Sequence, residues 1–476
     1  MRSRGVLLFF ACVVGLLALL CWAIPADGIR IGGCTLHMPS ISQVLHPEKL
    51  ATVDELMAQQ ELEADREYAD SLQMYRRWLD SSNYRFWLPD GDSTFFDPLF
   101  DALLCARGQN RVVRVMHYGD SQIEMDHITS RLRSTLQSAF GGQGPGMMPV
   151  QTIIPSPAVS QWISIGLPHF APFGDSLVQR AHGHYGPMTQ CFRLDGSTTA
   201  SFRATNNNTT DPRIQMFSRV GLLYSLRPGP LSSQLSVARP SAAMVGGDST
   251  TLSSDGLVAL HLWHIDTSAT QVRITMNGNA DIYGVLLDGE PGVAVDNIPM
   301  RGCSGQQFVQ IDSTRLADAY ALLDIGLIIL QFGGNSVPYL TNTQSISTYC
   351  KSIGRQIDRV HHCCPKAKIL FIGPSDMSTT RGGTLQSYPK LETIIDSLQH
   401  TANSHGAAYW SIYHAMGGHN SMLSWVSQNM AVTDYIHFNQ KGANLMGDRL
   451  ADAIMKMYNY YLLRKKKTTP TTNTTK

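Results

Sequence analysis

Residues 112–124 read VVRVMHYGDSQIE. The apolar run from Val112 to His117 predicts a short buried strand. It ends at Gly119-Asp120-Ser121, where glycine and aspartate signal a tight turn. From Ile128 to Phe140 apolar residues return at helical spacing. A serine between an apolar strand and a helix is exposed near the positive end of the helix, where developing negative charge is favoured. The same place suits a helix N-cap. Strand, turn and helix therefore indicate the fold class before they indicate any chemistry.

The same rhythm resumes after Gly292. GVAVDNI, IGLIILQFGG, AKILFIGPS and AAYWSIY read as strands. Gln306 to Leu323, Ser345 to His362, Leu391 to His405 and Gly442 to Tyr461 read as helices. Strands alternating with helices of this length predict a parallel sheet covered on both faces, a three-layer α/β/α sandwich. The intervening stretch differs. VALHLWHI, QVRITMNG and IYGVLLDG are short alternating segments set among Ser, Thr, Gly, Pro and Asn. They predict a β-sandwich. The expected architecture is an α/β domain, 111–149 and 289–462, interrupted by a β-sandwich insert, 150–288.

Arg2 and Arg4 precede an uncharged run, Gly5 to Ile24. Its length matches the roughly 20 residues that cross a bilayer core, and the flanking charge places the remainder outside. Residues 1–28 are thus expected to be a transmembrane anchor. A cleaved signal peptide is the competing reading, although its apolar core is ordinarily shorter. Residues 29–110, charged and helically spaced over 48–80, predict a membrane-proximal helical linker. Residues 463–476, basic then Thr-rich, predict a solvated terminus.

A net charge of +1 implies no broad nucleic-acid surface. Nine cysteines form no regular framework, though Cys350 could reach Cys363 or Cys364. His361-His362-Cys363-Cys364 lacks paired metal-ligand spacing. His117 is a candidate lining residue for a cleft. Asn207-Asn208-Thr209 is a glycosylation acceptor only in a eukaryotic secretory setting.

Three further islands sit at predicted strand ends, where parallel sheets build their sites. Arg301-Gly302-Cys303-Ser304-Gly305-Gln306 is a glycine turn able to aim an N–H at an oxyanion. Gly333-Gly334-Asn335 offers a side-chain amide donor. Asp434-Tyr435-Ile436-His437 lets one short loop hold a carboxylate against an imidazole. Each alone also reads as an ordinary turn.

Together they resemble the SGNH (GDSL-type) hydrolases. The resemblance rests on GDSxxE at Gly119 to Glu124, the glycine block at Gly302 to Gly305, G-x-N at Gly333 to Asn335, and D-x-x-H at Asp434 to His437. It spans about 111–160 and 282–462. It implies Ser121 as nucleophile, His437 as general base then acid, and Asp434 as its orienter. It also implies an oxyanion hole from the N–H groups of Ser121 and Gly305 and the amide of Asn335, with Gly302 the alternative to Gly305. No metal or organic cofactor is implied. Ser336 stands where the family usually has Asp.

VMHYGDSQIEMDHIT, with FGGQGPG and a long β-rich insert, is similar to peptidoglycan O-acetylesterases of Gram-negative bacteria, whose insert is a carbohydrate-binding-like jelly roll. It equally resembles exported SGNH proteins that work beside membrane O-acyltransferases. The resemblance implies an acetylesterase acting on an O-acetylated glycan, anchored in the inner membrane and facing the periplasm. An O-acetyltransferase with a membrane O-acyltransferase partner is the second implied function; a non-catalytic glycan-binding protein is the third alternative, which an incomplete triad would have favoured. Trp162, Trp263, Tyr224 and Tyr283 are read either as sugar-stacking faces or as sandwich core.

Overall fold

The computed structural model describes residues 2–25, 28–32, 34–45, 53–174, 183–205, 211–238 and 244–468. Asn207-Asn208-Thr209 and the end of the Thr-rich tail lie outside the described residues. The chain forms two units, Met1–Ser71 and Leu72–Lys476.

The first unit holds helix α1 (Arg2–Ala23), the antiparallel pair β1 (Ile29–Ile31) and β2 (Cys34–Leu36), helix α2 (Ile41–Leu45) and the first part of α3 (Val53–Ser81). Within α1, Arg4–Ala23 is long and apolar enough to cross a membrane.

The second unit opens with strand β3 (Phe86–Trp87), α4 (Asp97–Ala106), β4 (Val112–Gly119) and α5 (Thr129–Phe140). Eight strands follow: β5 (Gly146–Met148), β6 (Val159–Ile163), β7 (His169–Phe170), β8 (Cys191–Ala204), β9 (Phe217–Ala238), β10 (Val245–Leu252), β11 (Ala259–Ala269) and β12 (Gln271–Asp288). The chain then returns through β13 (Gly292–Pro299), α6 (Ser313–Ala321), β14 (Ile325–Gln331), α7 (Thr343–Cys363) and β15 (Lys368–Gly373). It ends with the hairpin β16 (Ser378–Arg381) and β17 (Thr384–Ser387), α8 (Leu391–Ser404), β18 (Ala408–Ser411), α9 (Ile412–Met416), α10 (Ser421–Ser427) and α11 (Gln440–Thr468).

The central sheet has the order β13-β4-β14-β15-β18-β3. Its first five strands are parallel, and β3 pairs antiparallel with β18. The sheet is therefore mixed, where a parallel one was expected. The two-residue edge strand is held by its surroundings: Phe86 packs edge-on to Phe96, and the buried Trp410 indole donates to the Tyr84 carbonyl at 3.0 Å. The α/β layers thus begin near Phe86 rather than Arg111. Side chains alternate across each strand. Met116, Tyr118, Ile328, Leu330 and Phe371 share one core with α6, α7 and α8. Val113, Val115, Ile329, Leu370 and Ile372 share the other with α4, α5 and α11.

The β-rich region is antiparallel throughout, with path β10-β9-β12-β8-β6 and β5, β7 and β11 attached. It has its own core, including Phe192, Phe202, Phe217, Leu222, Ile274 and Val285. It starts at Gly146, since β5 pairs with β12. The glycine-rich entry GGQGPG is a close-packing feature. A Cβ on Gly142 would lie 2.1 Å from the Val293 carbonyl oxygen, and one on Gly144 would lie 2.0 Å from that of Leu287. Of the four aromatics singled out, Tyr224 and Tyr283 are buried, Trp263 is half-buried against the core, and Trp162 alone is mostly exposed.

A buried ionic cluster joins the two sheets. Arg114 of β4 binds Asp296 of β13 at 2.6 Å and also Asp288 of β12, with all three side chains within 2% of complete burial. The Met147 N–H donates to Asp296 at 2.7 Å.

Two other expectations are corrected. The start of the basic run is helical, because α11 continues to Thr468; Arg464 pairs with Asp97 and Lys465 with Asp101, each at 2.6 Å, while Lys465 and Lys466 stay exposed to solvent. Both carboxylates lie on α4, which gives the charges a docking face. Cys350, Cys363 and Cys364 are free thiols buried in the core, so neither pairing forms.

Candidate active site

Strand β4 delivers Ser121 through the turn that follows it. The Asp120 carboxylate accepts the Gln122 N–H at 3.0 Å and so caps the short 3₁₀ turn Ser121–Asp126. No side chain can be tolerated at Gly119 without displacing Ile123, whose Cδ1 would lie 2.9 Å from an added Cβ. The Ser121 N–H has no hydrogen-bond partner among the described residues.

The Asp434–His437 loop precedes α11. Tyr435 takes a φ of +59°, which reverses the chain tightly enough for Asp434 and His437 to meet. Asp434 Oδ1 accepts the N–H groups of Ile436 at 2.9 Å and His437 at 3.0 Å. Its Oδ2 stands 2.7 Å from His437 Nδ1. Partial burial pulls the Asp434 pKa upward, but the His437 ring N–H and the two backbone donors outweigh it and hold the carboxyl below its ordinary value. It is therefore ionised at neutral pH and fixes Nδ1 as a donor. That leaves His437 Nε2 to accept from Ser121 Oγ, 2.8 Å away. The structure thus brings Ser121, His437 and Asp434 into one hydrogen-bonded relay, although 312 residues separate Ser121 from Asp434 (434 less 121, less one).

The relay borders a cavity of about 210 Å³ at the carboxyl ends of β4, β14 and β15. Asn335 lines it too, and its amide is fixed by donating to the Cys303 carbonyl at 3.2 Å. An amide nitrogen carries a second hydrogen, which suits it to a substrate oxygen. Gly305 is placed differently. It is buried against Phe332 and does not line the cavity. Gly302 lines a second cavity of about 500 Å³, beside Asn297, Met148 and His169. That cavity is larger but is lined by no member of the relay, whereas Ser121 and His437 line the smaller one.

His117 does not line either cavity. It is fully buried, bound to Gln331 at 3.0 Å and Thr129 at 2.9 Å, and burial pushes its pKa down to about 4. The cause is plain: its ring lies between Gln331 of β14 and Thr129 of α5, which take both of its nitrogens. Two features escaped the sequence. Asp120 is a second carboxyl beside the cavity, raised to about 6 mainly by burial. Arg301 of the glycine block pairs with Glu124 of the nucleophile turn at 2.5 Å, tying the two motifs together. Among the described residues, no group of three or more His, Cys, Asp or Glu is arranged to hold a metal.

Comparison with known families places this geometry. Residues 247–445 match the GDSL-like Lipase/Acylhydrolase family. The chain carries a GDSL-like acylhydrolase domain. It is a carboxylic ester hydrolase of the SGNH-type α/β fold. The matched range of this acylhydrolase contains Gly305, Asn335, Asp434 and His437 but not Ser121, because the β-rich region separates β4 from β13. A solved peptidoglycan O-acetylesterase is similar in fold, with a TM-score of 0.58 and 21% identity over 76% of this chain and 96% of that one. A family two carbohydrate esterase from Cellvibrio japonicus aligns at 11% identity and a TM-score of 0.25, over 63% of this chain and 99% of that one. No curated protein matches.

Proposed function

We propose that this acylhydrolase removes O-acetyl groups from a cell-envelope glycan, with peptidoglycan the foremost substrate, through an acyl-Ser121 intermediate. The observation that carries the reading is the Ser121–His437–Asp434 relay opening onto a cavity shared with Asn335. Ser121 Oγ attacks the ester carbonyl carbon as His437 Nε2 takes its proton. The tetrahedral oxyanion is held by the Ser121 N–H and the Asn335 amide, with the Gly305 N–H as the third donor that the family resemblance implies. The carbon–oxygen bond to the sugar then breaks, and His437 returns its proton to the departing sugar oxygen. Water repeats the sequence and releases acetate. Half-exposed His437 and Asp434 leave a path for that water, their side chains being 40% and 43% accessible. The small cavity suits a short acyl group. The mechanism calls for no metal or organic cofactor.

Two expected results test parts of this scheme. Asn335→Ala lowers kcat by roughly a hundred- to a thousandfold, the usual cost of one oxyanion donor, with little change in melting temperature. Unchanged kcat on aryl acetates would remove Asn335 from the oxyanion hole. For location, Arg2 and Arg4 before the apolar helix support a reading in which the catalytic unit faces the periplasm, anchored to the inner membrane. A periplasm-only reporter fused to the C-terminus is expected to be active; an inactive one reverses the topology.

The substrate is tested by acetate release from purified O-acetylated peptidoglycan, with and without an added sugar acceptor. Acceptor-independent release is expected. Acetyl transfer that requires the acceptor would make the protein an O-acetyltransferase instead, and no turnover would contradict the substrate.

A further inference from the structure

We propose that Gln122 is a positioning residue that sets the register of His437 against Ser121; the inference rests on the relay described above. Gln122 is the next residue after Ser121, and its side chain crosses to the Asp434–His437 loop. There its Nε2–H donates to the Ile436 carbonyl at 2.7 Å, while its Oε1 faces the Phe438 N–H at 3.4 Å. Those two backbone groups flank His437 on either side. One amide therefore brackets the peptide units that carry the imidazole. A third contact, to the Ser375 hydroxyl at 3.4 Å, steadies the amide from β15's end.

The loop has little else to hold it to the nucleophile. Among the described residues, the hydrogen bonds between Ser121–Asp126 and Asp434–Phe438 are the Ser121–His437 bond and the two made by Gln122. Asp434 braces His437 within its own loop, but it travels with the imidazole and cannot fix the distance to serine. The Asp120 carboxylate caps the Gln122 N–H, so the clamp begins from a backbone already held in the turn. The chain thus places donor and acceptor of a single side chain where a shift of the loop must break both bonds. A misplacement of about 1 Å costs on the order of a hundredfold in rate, so a rigid clamp acts on kcat rather than on substrate affinity.

The test uses Gln122→Met, which keeps the length and bulk of the side chain and deletes both hydrogen bonds. Expected is a kcat on aryl acetates about ten- to a hundredfold lower, with KM within about twofold and the melting temperature nearly native. The native protein is expected to show a downfield proton resonance from the His437 Nδ1–H, which should shift or broaden in Gln122→Met. Gln122→Glu, in which a carboxylate confronts the Ile436 carbonyl, should be at least as impaired near neutral pH. Native kcat and an unmoved resonance in Gln122→Met would overturn the proposal. Ser121→Ala measured alongside separates the two ideas: full activity in that variant defeats the relay itself, whereas loss there with native Gln122→Met defeats only the clamp.

Discussion

Ser121→Ala is expected to lower kcat on aryl acetates by roughly 10⁶-fold, as removal of the nucleophile does in other serine hydrolases. The size follows from the role: without Oγ there is no acyl-enzyme, and only binding and the oxyanion donors remain. The fold should survive, because among the described residues the Ser121 hydroxyl bonds only to His437, and it fills no core. His437→Ala should be comparably severe. Asp434→Asn should retain more activity, since Asp434 orients the ring and accepts two backbone N–H groups but transfers no proton. Activity of each purified variant, with its melting curve, decides the matter. Native-like turnover by Ser121→Ala would end the assignment.

Arg114→Ala is expected to reduce unfolding free energy by about 3–5 kcal/mol, the usual cost of breaking a buried ion pair from one side. It would strand Asp288 and Asp296 inside the junction between the two sheets. Burial already pushes Asp296 upward, with Arg114 as the main opposing influence. Without that cation, the folded-state pKa of Asp296 rises further above its unfolded value of about 4. The folded state then binds the extra proton, so that stability is present at low pH and lost as pH rises through the folded value. The deficit against the native protein should therefore be smallest near about pH 4 and largest near about pH 7. Urea unfolding at both values reads it directly. A deficit independent of pH would mean that lost packing, not uncompensated charge, is the cause. Arg114→Met combined with Asp288→Asn and Asp296→Asn should recover much of the loss.

Ser121, Asn335, Asp434 and His437 could be picked out in the sequence because each follows a strand or sits in a turn whose local residues already restrict the backbone. Short apolar runs bounded by turn residues and alternating with helical segments made β4, β13, β14 and β15 readable. What was hidden depends on distant partners. Arg114 looked like one charge within an apolar run, and its two carboxylates lie far along the chain. Phe86-Trp87 is too short to show a period and becomes a strand only by lying beside β18. Arg464 and Lys465 had the composition of a solvated tail, and Asp97 and Asp101 turn them into a helix end packed on α4. The glycine block was legible as a turn, but not that Gly302 opens onto another cavity while Gly305 is buried against Phe332. Gln122 gave no signal, since its meaning lies in the backbone of a loop more than 300 residues away.

The most direct measurement is trapping of the acyl-enzyme. The protein is mixed rapidly with an aryl acetate, quenched in acid, digested and mapped by mass spectrometry. The account predicts a burst of phenolate and an acetyl group on the peptide that contains Ser121, absent in Ser121→Ala. Turnover with no acetylated peptide, or with the acetyl group on another residue and persisting in Ser121→Ala, would contradict it.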